Sequence, residues 1–161
     1  MSAPGGAGQG RLVAICAGPG GIPKHTLSHV RVRRGGLDGD DHRWHGHGGP
    51  DRAVCLLSQE EVKSLEGDGV VVSGPGAFGE NLLVAGLDFT ALRPGDRLSL
   101  SPAAGTQPPV VLELTDVRAP CKTLTSVDPR FPDLMLGRSG FVARVLVEGQ
   151  VEPGALVEVV D

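Results

Sequence analysis

Cys121 lies in the segment Arg118-Ala-Pro-Cys-Lys-Thr-Leu-Thr-Ser-Val-Asp-Pro129, directly after an apolar alternating run, Val110–Val117. Pro120 cannot donate to a strand ladder, so pairing stops there and Cys121 is expected at a strand end, with Arg118 and Lys122 close by. Neighbouring cations favour the thiolate, which is both the nucleophile and the soft ligand for a metal. Cys16 and Cys55 stand instead within Leu-Val-Ala-Ile-Cys-Ala and Ala-Val-Cys-Leu-Leu. In such runs a cysteine behaves as a small buried hydrophobe, and a structural role is expected for both.

Two further segments carry polar groups on glycine-dense chain. The first is Gly35-Gly-Leu-Asp-Gly-Asp-Asp-His-Arg-Trp-His-Gly-His-Gly-Gly-Pro-Asp-Arg-Ala-Val54. Glycine lets backbone approach a ligand, and successive N–H groups of such turns form anion-binding nests. A surface loop satisfying its own backbone would use the same residues. His42, His45 and His47, with Asp40 and Asp41, could also be read as a zinc cluster, although their spacing matches no established tetrahedral site. The second segment, Gly74-Pro-Gly-Ala-Phe-Gly-Glu-Asn-Leu-Leu-Val84, delivers Glu80 and Asn81 to the start of a strand. That pair could bond the edge of a heteroaromatic ligand or pin the turn, and pinning is the better reading of the residues alone.

These segments need a scaffold, and the rest of the sequence describes one made of strands. Short apolar runs bounded by Gly, Pro, Asp or Ser occur at Leu12–Ala17, Val30–Arg33, Ala53–Leu57, Asn81–Val84, Arg97–Leu100, Val110–Val117, Phe141–Val147 and Ala155–Val160. Ser58 followed by Glu61 forms a capping-box pattern that opens one helix, Gln59 to about Glu66, ending at Gly67. Pro-Gly turns precede the strands near Arg97 and Ala155. Residues 101–109 look like an exposed loop. The fold class expected is mostly β: a single closed or partly open barrel of complex topology with a few short helices. Residues 1–10, rich in Gly and Ala, are expected to be a flexible tail, with the barrel domain over 11–161.

Composition narrows the function. The net charge is −4 with dispersed basic residues, which excludes a nucleic-acid partner. No stretch approaches the ~20 apolar residues of a membrane span, and no leader pattern is evident, so a soluble cytoplasmic protein is expected. Three cysteines, an odd number, argue for reduced thiols rather than a disulfide framework. Aromatics are only 3%, leaving the core to Val, Leu, Ala and Ile.

Six elements in this order resemble the MOSC family, the domain named from the C-terminal part of molybdenum-cofactor sulfurases. They are Gly20-Gly-Ile-Pro-Lys24, Gly36-Leu-Asp-Gly-Asp40, His47-Gly-Gly-Pro-Asp-Arg-Ala-Val54, Phe78-Gly-Glu-Asn-Leu82, Pro94-Gly-Asp96 and Arg118-Ala-Pro-Cys121, so the likeness runs from about Gly20 to Val160. The first is similar to small bacterial stand-alone members; Cys121–Pro129 is also similar to the amidoxime-reducing relatives. The resemblance implies a β-barrel that holds molybdenum cofactor (molybdopterin), with Cys121 as the metal ligand and catalytic residue. Lys24, Arg52 and Arg118 are then candidates for the cofactor phosphate, and His47 and Asn81 for pterin or substrate contacts. A small N-hydroxylated compound would be the substrate. With no flavin or iron–sulfur motif in the chain, electrons would come from a separate donor protein. The alternative implied role is a non-enzymatic carrier of the cofactor or of sulfur through Cys121. A zinc module using the three histidines is a third reading. Oligomeric state is left open.

Overall fold

The computed structural model describes residues 7–19, 22–40, 50–103, 107–119 and 122–160. Its strands are β1 (Gln9–Ala17), β2 (His25–Leu27), β3 (Val30–Arg33), β4 (Gly36–Leu37) and β5 (Val54–Ser58), followed by the helix α1 (Gln59–Gly67). Then come β6 (Leu82–Ala85), β7 (Arg97–Ser101), β8 (Val110–Val117), β9 (Phe141–Val147), β10 (Gly149–Val151) and β11 (Leu156–Val160). Seven strands close a barrel in the order β1-β11-β7-β8-β9-β5-β6 and back to β1, while β2 extends the wall from the end of β1. Closure removes the free edges that an open sheet would expose. Among the described strands only β5 and β6 pair in parallel within it; such a pair needs a crossover, and α1 with the chain leading to Asn81 supplies it. A small second sheet, β10-β3-β4, lies beside the barrel.

Strand alternation fills the interior with Leu12, Ile15, Val54, Leu56, Leu82, Val84, Leu98, Leu100, Leu112, Leu114, Phe141 and Val157. In β1 the register shifts between Leu12 and Ala14, a bulge that resets the parity. Leu12 and Ile15 therefore both face inward, and Ala14 and Cys16 face out into a second core. That second core packs Leu57 and Leu83 of the wall against Val62 and Leu65 of α1, together with Phe78, Leu124, Phe131 and Met135. Phe78 and Phe131 meet edge to face, 5.8 Å between centroids. Ser58 caps α1, its Oγ accepting from the Glu61 N–H at 3.3 Å.

The eight strands expected from sequence all form, with ends shifted by no more than a residue except in β1. There the strand begins at Gln9 rather than Leu12. Gln9 and Gly10 pair with Glu158 and Val157 of β11, and Ala7 is buried and accepts from the Asp88 N–H at 2.9 Å. Gly10 reads as flexible in sequence but is a packing residue: a Cβ there would meet the Ala85 carbonyl at 2.6 Å. The short strands β2, β4 and β10 were not anticipated, because two or three residues carry no period and tertiary pairing alone makes them strands.

Candidate functional site

Strand registers assemble the chemistry on the outer face of the wall. Ile15, Leu82, Leu56, Phe141 and Val117 lie side by side across β1, β6, β5, β9 and β8. Cys16, Asn81, Cys55 and Arg118 are the chain neighbours of that row. Asn81, fully buried, ties the strands together. Its carbonyl accepts from the Cys16 N–H at 2.7 Å and its N–H donates to the Cys55 carbonyl at 2.9 Å. Its side-chain Oδ1 accepts from the Cys55 N–H at 2.9 Å, while Nδ2 donates to the Cys16 carbonyl at 3.2 Å and to Asp40 Oδ2 at 2.9 Å. Both amide hydrogens are thus spent within the protein, and the residue expected to touch pterin or substrate is built first of all as a pin.

Asp40 carries the network outward. It also accepts from the Gly18 N–H at 3.1 Å and pairs with Lys24 Nζ at 2.9 Å, the two side chains being 1% and 7% exposed. A buried carboxylate of this kind is tolerated only because donors surround it. The ammonium of Lys24 is therefore already compensated before any ligand arrives. Lys24 is anchored by its backbone as well, its N–H donating to the Gly76 carbonyl at 2.9 Å; a Cβ at Gly76 would lie 2.2 Å from the Lys24 carbonyl, so that contact requires glycine.

Arg118 leaves the end of β8 fixed at three points. Its N–H donates to the Gly140 carbonyl at 2.9 Å, its carbonyl accepts from Ser139 Oγ, and its Nη2 donates to the Phe78 carbonyl. Its Nη1 is buried and has no hydrogen-bond partner among the described residues. Arg52 Nε is in the same condition. Arg52 ends a short 3-10 turn, Pro50–Arg52, which is held against β8 and β9 where Thr115 Oγ1 donates to the Asp51 carbonyl and Arg144 meets Asp51 at 3.3 Å. It shares no hydrogen bond with Lys24, Asp40, Asn81 or Arg118 among the described residues. Buried N–H groups are nearly always satisfied, and a cationic one without a partner is a place for an anion.

Cys16 meets the structural expectation, fully buried in the second core. Burial first, and then the Glu80 carboxylate, push its thiol from an ordinary 9.0 to about 12. A raised folded-state pKa gives stability that is complete below the unfolded value and lost as pH rises through the folded one. Wild-type stability is thus expected to fall relative to Cys16→Ala between about pH 9 and about pH 12. Denaturant midpoints of both proteins across that range would show it, and a constant gap would refute it. Cys55 departs from the expectation of a buried hydrophobe. It is half-buried, and its thiol is pushed up by burial against the opposing pull of Arg118 and Lys24.

Lys24, Asn81 and Arg118 are thus brought to one neighbourhood, and among the described residues no hydrogen bond joins Arg52 to it. Cys121 and His47, like His42, His45 and Asp41, lie outside the described residues. Among the described residues no group of His, Cys, Asp and Glu could hold a metal ion. Sequence reasoning missed Ser139 and Gly140. The only signal was Gly140 before a strand; in the structure it has φ +80°, and a Cβ would lie 1.8 Å from the Leu56 carbonyl. Glu80, paired with Asn81 in the sequence reading, takes a separate role: its buried carboxylate accepts from the N–H groups of Gly76 and Phe78 at 2.8 and 3.2 Å.

The family model for the MOSC domain matches residues 44–158, which include Arg52, Asn81, Arg118 and Cys121. This chain belongs to the MOSC domain family. YiiM of Geobacillus stearothermophilus superposes with a TM-score of 0.74 at 29% identity, over 94% of this chain and 75% of that one. YuaD of Bacillus subtilis shares the fold, with a TM-score of 0.73 at 22% identity over 94% of this chain and 96% of its own. Among curated proteins, the uncharacterized YflK of Bacillus subtilis (strain 168) is 36% identical over 150 residues, 86% of this chain and 62% of that protein. A protein named reductase from Gibberella moniliformis is 28% identical over 136 residues, 78% of this chain but 23% of its own length. This MOSC chain therefore spans less than two thirds of both curated relatives. MOSC domains are associated with molybdenum-cofactor binding. No described helix is long and apolar enough to cross a membrane.

Proposed function

We propose that this MOSC domain binds molybdenum cofactor and uses it to reduce small N-hydroxylated compounds, with electrons from a separate protein. The observation that carries the reading is the buried, unpartnered Nη1 of Arg118, held rigidly three residues before Cys121. A phosphate monoester such as the pterin side chain bears would satisfy that donor, and Arg52 Nε offers a second of the same kind. The cofactor, when bound, supplies a two-electron centre that can take oxygen from an N–O bond. The chain supplies the Cys121 thiolate as a soft ligand, Arg118 and Arg52 as anion donors, and the Lys24–Asp40–Asn81 network as a stiff floor. For a hydroxylamine substrate the N–O bond breaks, and two electrons and two protons convert the hydroxylamine into the parent amine and one water. The curated relative named reductase is in keeping with a reductive reaction.

Expression of the chain in a host that makes molybdenum cofactor, followed by metal and pterin analysis, tests the reading. Molybdenum and pterin are expected in equimolar amounts, with turnover of an N-hydroxylated base when a chemical electron donor is supplied. Purified protein with neither molybdenum nor pterin, while other molybdoenzymes of the host are loaded, would overturn it. Loaded protein that turns nothing over but passes its pterin to an apo-molybdoenzyme would replace the reductase by a carrier.

A further inference from the structure

The Gly74–Glu80 loop is closed from within by Glu80. Its carboxylate, 1% exposed, gathers the N–H groups of Gly76 and Phe78, at 2.8 and 3.2 Å. With those two N–H groups turned inward, the Phe78 carbonyl is left to accept from Arg118 Nη2. Packing alone does not hold this loop. The Phe78 ring is seated in the second core, but Gly74 and Pro75 border a cavity of about 190 Å³ beside α1 that Val62 and Glu80 also line. At the other edge a Cβ on Gly79 would press on Ile22 Cγ2 at 3.0 Å and come into ordinary contact with Arg118 Nη2.

We propose that Glu80 is a positioning residue for Arg118, shaping the loop whose Phe78 carbonyl holds one guanidinium nitrogen so that the other presents its hydrogens to an anion. The inference rests on the reading of Arg118 as an anion donor. Glu80→Gln keeps the size of the side chain but replaces one acceptor by an amide that faces a backbone N–H, so the loop must open and release the Phe78 carbonyl. Burial already weighs against the charged form of Glu80, while the Gly76 and Phe78 N–H groups and Arg118 favour it, so the loop and the guanidinium support one another.

The test is titration of inorganic phosphate into the apo full chain, followed by NMR, for wild type, Glu80→Gln, Arg118→Ala and the double variant. Glu80→Gln is expected to weaken phosphate binding roughly tenfold, the scale of one charge-assisted hydrogen bond made badly. In the double variant it should weaken binding no further than Arg118→Ala does. The Arg118 side-chain N–H signals, distinct in wild type, should broaden in Glu80→Gln. Wild-type affinity in Glu80→Gln, or additive losses in the double variant, would overturn the positioning role while leaving the anion site standing. Equal affinity of wild type and Arg118→Ala would overturn the anion reading itself, and this inference with it. If Glu80→Gln does not fold, Glu80→Asp, one methylene too short to span both N–H groups, is read by the same outcomes.

Discussion

Replacing Cys121 by serine is expected to leave a folded protein that purifies without molybdenum and has no reductase activity. A hydroxyl is a poor ligand for a soft metal site, whereas a thiolate binds it well, so the swap removes the metal bond with little change of shape. Arg118, three positions earlier, is held by Ser139, Gly140 and the Phe78 carbonyl. The unfolding free energy of the apo variant should match that of apo wild type to within about 0.5 kcal/mol. Metal analysis, pterin analysis and denaturation on the same preparations decide the matter. Full molybdenum content in Cys121→Ser would remove Cys121 from the site.

Asp40→Ala is expected to be the most destabilising change within the described network, costing about 3–5 kcal/mol, the usual result of deleting one partner of a buried ion pair. The side chains of Asp40 and Lys24 are 1% and 7% exposed, and they meet at 2.9 Å. Without the carboxylate, the Lys24 ammonium, one Asn81 amide hydrogen and the Gly18 N–H lose their acceptor together. The damage should reach the site, since Asn81 also joins β1 to β5. Lys24→Ala combined with Asp40→Ala should recover part of the loss, because no buried charge is then stranded. Chemical denaturation of the three variants would measure the coupling. A loss below about 1 kcal/mol for Asp40→Ala would show that water reaches the pair and that the network is not a stiff floor.

Much of the scaffold was legible in the sequence for local reasons. Short apolar runs between Gly and Pro turns gave β3, β5 through β9 and β11, and Ser58 marked the start of α1, because side-chain period and capping act within a few residues. The order of six motif elements was enough to place the chain in the MOSC family. Distances in sequence concealed the rest. Nothing local shows that the bulge after Leu12 turns Cys16 away from the barrel interior, or that Gly10 is a packing contact rather than a loose end.

The candidate site shows the same division. Sequence by itself determined which side chains are available: Cys121, the cations at Lys24, Arg52 and Arg118, and the Glu80-Asn81 pair. Only the tertiary structure decided what each is free to do. It paired Lys24 with Asp40, spent both amide hydrogens of Asn81 on neighbouring groups, turned Glu80 inward to its own loop, and left Arg118 and Arg52 with buried donors still open. The physical reason is that a residue's type fixes its donors, acceptors and charge, whereas the satisfaction of Lys24, Asp40 and Asn81 depends on partners brought from 16 to 65 residues away when the barrel closes.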